Sequence, residues 1–157
     1  MKILLTMSLT TIFTTGLYAS TSTDAVSTFN FSGLHPNTVI QSCQQEPCSL
    51  AKVVHVETQQ IDAQSATVHL TLLGGIQEQF NKKITWNETP HKVAVHCSTL
   101  KPTIEIFDHM MPIYFMPNEP DLPSDVTLYL KSCHNLSHSN FKDLSALGYP
   151  LTTFIQP

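Results

Sequence analysis

From Ala51 onward, apolar and polar residues alternate with a period of two. Val54 and Val56 interleave with His55 and Glu57, and Val68, Leu70 and Leu72 interleave with Thr67, His69 and Thr71. Successive side chains of a strand point to opposite faces, so the pattern predicts an antiparallel hairpin with one buried face. The polar stretch 59–65 holds its turn, and Gly74-Gly75 ends its second strand. If the two apolar faces coincide, one register sets His55 opposite His69 and the next sets Glu57 opposite His69.

Further strands are marked by Ile84 and Trp86, by Val93, Val95 and Cys97, and by Ile104 and Ile106. Turn residues at 87–90 and Pro102 separate them. Val126, Leu128 and Leu130 alternate in the same way, and 151–155 reads as a closing strand. Pro36 suits the first turn of a short N-terminal helix over 37–43. The chain is therefore expected to be mainly β, an antiparallel sandwich or small barrel of about seven strands. One residue conflicts with this assignment: Cys133 has the opposite parity to Val126, Leu128 and Leu130, which requires a bulge or a strand that ends earlier.

The N-terminus has a different character. Lys2 is followed by an uncharged run through Leu4, Leu5, Leu9, Ile12 and Phe13, then by the small residues Ala19 and Ser20. This is the layout of a secretory signal peptide over 1–19, too short and too rich in threonine for a membrane span. It leaves 20–157 as a single domain, with 20–33, polar and unpatterned, as a loose leader. Export gives the cysteines their meaning. The four cysteines are an even number in an oxidising compartment, either periplasmic or extracellular, and read as disulfides Cys43-Cys48 and Cys97-Cys133. Zinc ligation by Cys43 and Cys48 lacks a second pair at finger spacing. Asn30, Asn87 and Asn135 each begin an Asn-x-Ser/Thr triplet, an acceptor for glycans only in a eukaryotic secretory pathway.

Charge narrows the classes further. The 157 residues hold 8 basic and 12 acidic side chains, with a formal charge of −4, and every basic residue is a lysine. Phosphate neutralisation requires clustered Lys or Arg, so the composition argues against a nucleic-acid binder and favours a basic protein partner.

Candidate chemistry concentrates in 108–123. Pro112, Pro117, Pro120 and Pro123 bracket Ile113, Tyr114, Phe115 and Met116. Proline limits the freedom an apolar loop would lose on docking, so this loop is the candidate partner-binding element, with Tyr114 and Phe115 as anchors. Its other reading is an irregular edge strand. The alternative chemistry is Cu(I) ligation by His109, Met110, Met111 and Met116, since thioethers and imidazole suit that ion. Of the eight histidines, His55 and His69 share the outward face of the hairpin, and His91 and His96 fall on opposite faces of a strand. His134 and His138 share a face only on a helix. Nucleophile elbows, phosphate loops and dinucleotide fingerprints are missing from the chain, so a catalytic triad would have to assemble in three dimensions. The leading expectation is an exported, non-catalytic binding protein, of inhibitor or immunity type, acting on another exported protein. A periplasmic copper carrier is second and an enzyme third; a fibre subunit would need a donated strand that 21–33 does not supply.

Overall fold

The computed structural model describes residues 29–43, 47–62, 64–78, 83–116, 122–137 and 141–149. The signal segment expected over 1–19, the leader expected to follow it up to residue 28, residues 117–121, His138 and the closing strand expected over 151–155 lie outside the described residues. The expectation of a mainly β, antiparallel protein holds. Seven strands run β1 (Val39–Ser42), β2 (Cys48–Gln60), β3 (Ser65–Gln77), β4 (Thr85–Trp86), β5 (His91–Ser98), β6 (Thr103–Ile106) and β7 (His109–Pro112). They form one sheet in the order β1-β2-β3-β5-β6-β7, with β4 continuing beside β3, and the sheet does not close into a barrel. Helix α1 (Ser124–His134) packs across β1, β5 and β6, and the short α2 (Phe141–Ala146) follows.

The core lies between the sheet's inner face and α1. Val68, Leu70, Leu72, Val93, Val95 and Ile104 meet Val126, Tyr129, Leu130 and Cys133, all of them buried. Both expected disulfides are formed, and Cys97–Cys133 ties β5 to α1 through the centre of this core.

Four sequence expectations are corrected. The run from Val126 to Leu130 is helix and not strand. Val126, Tyr129, Leu130 and Cys133 stand at i, i+3, i+4 and i+7, which also removes the parity conflict at Cys133. The helix closes at Asn135, whose φ of 55° is left-handed, and Leu136 N–H bonds back to the Leu130 carbonyl at 3.2 Å.

The segment 37–43 is not helical. Pro36 and Asn37 occupy the centre of a β-turn closed by Thr38 N–H on the His35 carbonyl at 3.0 Å, with Asn37 at φ 72°. Pro followed by a left-handed Asn is the composition of a type II turn, and Val39 and Ile40 then enter strand β1.

Val54 is 44% exposed while Val53 is fully buried. The pairing slips between Val53↔Leu72 and His55↔Thr71, so Val54 is the extra residue of a bulge.

The last part of the leader is docked. Phe29 is buried, Asn30 N–H bonds the Cys133 carbonyl at 2.8 Å, and a Cβ on Gly33 would run into the Asn135 side chain. Only glycine lets the backbone approach the end of α1 that closely.

Candidate functional site: the outer face of the sheet

α1 covers one face of the sheet, and among the described residues no helix covers the other. Its side chains form cross-strand rows fixed by register. One row is Glu57, His69, Ala94, Glu105 and Met110, each directly opposite the next. A second is His55, Thr71 and Lys92. Of the two hairpin registers the alternation allowed, the chain adopts the one that sets Glu57 against His69. Ala94 is the shortest side chain of its row, flanked by His69 on β3 and Glu105 on β6. The face therefore dips at Ala94, and a groove of about 650 Å³ opens over it. Its walls carry His55, Glu57, His69, Glu105, Phe107 and Asp108, with Lys92 among the lining residues.

One wall residue of the groove, Glu105, is held from behind by a side-chain contact. His96 Nε2 lies 3.3 Å from Glu105 Oε2, and its Nδ1 lies 3.2 Å from Thr67 Oγ1. A hydroxyl, an imidazole and a carboxylate in line are the component groups of nucleophilic catalysis. Here, however, Thr67 is buried and paired on both sides, with Gln59 on β2 and with His96 on β5. Its backbone belongs to the ladder and is not free to receive an oxyanion. What the row does is hold His96 and Glu105 in fixed positions beside the groove.

Phe107 and Asp108 form the two-residue turn between β6 and β7, with φ of 50° and 62°. Both signs are those of a type I′ turn, whose preferred sequence is Asn-Gly. A phenylalanine there is backbone-strained, by about 1–2 kcal/mol. Phe107 is nonetheless 73% exposed, and its ring lies beside that of His91, 5.8 Å between centroids. Replacing Phe107-Asp108 by Asn-Gly is therefore expected to stabilise the protein by about 1 kcal/mol, read as a higher urea midpoint at unchanged slope. A lower midpoint would mean that the ring's contact with His91 outweighs the turn strain.

The proline-bracketed loop divides in two. Ile113 and Phe115 are buried at 4% each, and Phe115 packs on Tyr149 at 4.6 Å between ring centroids. Neither can anchor a partner, because their apolar surface is already spent in the core; this corrects the expectation for half of that segment. Tyr114 at 57% and Met116 at 38% remain exposed, with Leu100 and Pro112 beside Tyr114 around a smaller cleft. The remaining prolines of the bracket lie outside the described residues, except Pro123, which precedes α1.

The His/Met set does not converge. Along β7, Met110 pairs with Glu105 on the groove face, whereas Met111 points the other way and lines the cleft near Leu128. His109 shares the parity of Met111, and Met116 lies past Ile113 and Phe115, both turned into the core. Among the described residues, His, Cys, Asp and Glu form no group of three or more placed to hold a metal ion. His134 is the last residue of α1 and is buried, its Nε2 2.6 Å from the Tyr149 hydroxyl.

β7 is an edge of the sheet, and its backbone is poorly suited to strand addition. Ile113 N–H donates to the Pro102 carbonyl at 2.9 Å, so alternate residues at 109, 111 and 113 face inward to β6. Met110 alone among 109–112 directs an N–H outward, because Pro112 has none. Recognition at this edge therefore falls to side chains.

Among the described residues no helix is long and apolar enough to cross a membrane, and two disulfides suit an oxidising, exported environment. Comparison with protein-family models, with curated proteins and with solved structures found no match.

Proposed function

We propose that this chain is an exported, non-catalytic binding protein, of inhibitor or immunity type, that engages another exported protein with the outer face and β7 edge of its sheet. The observation that carries the reading is Phe107. A large aromatic is held in a left-handed turn at a cost to stability, and it projects into solvent at the rim of an open groove. Strain kept at an exposed, chemically distinctive residue points to use of that residue. Met110, Met111 and Tyr114 extend the exposed apolar strip along the same edge. Such a strip, rimmed by polar residues, is the composition of a protein-binding surface. The partner-binding role that the sequence assigns to 113–116 thus passes to Phe107, Met110 and Tyr114.

The test is the double substitution Phe107→Ala and Tyr114→Ala, both at exposed positions. The variant is expected to keep the urea midpoint of the parent, within about 1 kcal/mol, because alanine retains the Cβ and with it the strain of the left-handed turn. It is expected to lose any complex formed with a protein of the same exported compartment by at least ~10-fold in Kd, the loss of one anchor or more. A complex equally tight with both rings removed would sink the reading.

A further inference from the structure

The groove also carries a preference for the charge of what it binds. We infer that it accepts a cationic side chain, a guanidinium or ammonium group presented by the partner, seated over Ala94 between His69 and Glu105, with Glu57 beyond His69 and Phe107 at the rim. This rests on the reading of the outer face as a binding surface and specifies its ligand. The lining holds three carboxylates, Glu57, Glu105 and Asp108, against the single ammonium of Lys92. Of these three, only Glu105 lies within ion-pair distance of a basic group among the described residues, the His96 imidazole. The slot is bounded by neighbouring strands. His69 and Glu105 stand two strand spacings apart across Ala94, roughly 10 Å between backbones, which admits one extended side chain. An aromatic residue at the rim of a carboxylate-lined groove suits an organic cation, because a ring quadrupole and carboxylates attract the same charge. A phosphate-bearing or acidic ligand would meet those carboxylates head-on. Charge complementarity thus selects a basic segment, in agreement with a chain that is itself acidic overall.

The experiment is a titration of the isotope-labelled, disulfide-intact protein, followed by backbone amide shifts. The ligands are Nα-acetyl-arginine amide and Nα-acetyl-lysine amide, with the norleucine and glutamate analogues as uncharged and anionic controls. The cationic ligands are expected to shift Ala94, Glu105 and Phe107, and to bind several-fold more weakly at high salt. Glu57→Gln combined with Asp108→Asn is expected to weaken them about fivefold, and Glu57→Asp to recover part of the loss. Ala94→Ile, which suits an exposed strand position and fills the dip, is expected to abolish the shifts while the remaining spectrum stays in place. Norleucine or glutamate shifting the same residues as strongly as arginine would keep a groove that binds and overturn its cationic preference. Ligands that shift none of these residues up to tens of millimolar would overturn the assignment of the groove itself, while the wider binding reading is decided separately by Phe107 and Tyr114.

Discussion

Replacing Cys97 and Cys133 together by alanine is expected to cost about 4 kcal/mol of stability, and the same exchange at Cys43 and Cys48 about 2 kcal/mol. The difference has two sources. The Cys97–Cys133 link closes 36 residues and Cys43–Cys48 closes only 5, and chain entropy in the unfolded state scales with the logarithm of that length. Cys97 and Cys133 are also fully enclosed at 1% and 0% exposure, so their sulfurs fill space that alanine leaves empty, whereas Cys43 is exposed. Where the link sits adds to its importance. It joins β5 to α1 one residue before Ser98, which holds the Tyr129 hydroxyl through both its N–H and its carbonyl. For a domain whose total stability falls in the usual range of about 5–15 kcal/mol, such a loss removes a large fraction of it. Urea unfolding of the two double variants checks the ordering. Equal losses would mean that the unfolded chain is compact enough to cancel the loop-length effect.

The strands that alternation makes legible are those of a sheet with one buried and one solvated face. β5 buries Val93, Val95 and Cys97, and β3 buries Val68, Leu70 and Leu72, with the residues between them less enclosed, because α1 covers only one side of the antiparallel sheet. α1 imitates a strand in sequence because it is buried on almost every side. Val126, Thr127, Leu128, Tyr129 and Leu130 are all enclosed, so the apolar positions at even spacing are a subset of a continuously buried run. The parity of Cys133 points against a strand, and the i, i+3, i+4, i+7 series through Tyr129 resolves it. The bulge at Val54 has no local signature. Val53 and Val54 are chemically equal, and which one turns inward is decided by the pairing with Leu72 and Thr71.

The candidate site is less legible than the fold for a related reason. The hairpin parity reduces the choices at Glu57 and His69 to two registers, and one of them is adopted. The groove, however, exists because Ala94 falls between His69 and Glu105, and that depends on the β3–β5 and β5–β6 registers. Those are long-range pairings which no nearby residue pattern encodes. Phe107 carries a readable signal, a two-residue turn between alternating segments, obscured because Phe-Asp lacks the glycine that marks such turns. Phe115 illustrates the opposite problem. Sequence places it beside Tyr114 in one apolar stretch, and only the three-dimensional position of Tyr129 and Tyr149 shows that one ring of the pair is inside.

A second large effect is expected in alkaline solution. Tyr129 and Tyr149 are buried, and their hydroxyls lie 3.0 Å apart in a chain that runs from Ser98 through both phenols to His134 Nε2. Burial raises the pKa of Tyr149, and the neighbouring Tyr129 raises it further. Burial also raises that of Tyr129, against the lowering by its hydrogen bonds to Tyr149 and Ser98. The sign follows from the direction: a phenol whose folded pKa lies above its unfolded value near 10 favours the folded state while protonated. That contribution is whole below about pH 10 and is lost as the pH rises above it, by about 1.4 kcal/mol per pH unit for each phenol that ionises only on unfolding. Stability is therefore expected to be level with respect to these groups up to about pH 10 and then to fall by about 2–3 kcal/mol per unit. Tyr149→Phe separates the hydrogen bonds from the titration. At neutral pH it removes the partner from His134 Nε2 and from the Tyr129 hydroxyl, for a loss of about 1–3 kcal/mol. Above pH 10 it removes one of the two ionising phenols, so the slope is expected to halve. Urea midpoints across pH 7 to pH 11 for the parent and the variant measure both quantities. An unchanged alkaline slope in the variant would show that Tyr149 ionises as readily in the folded protein as in the unfolded chain, and that its place in the buried chain does not restrain it.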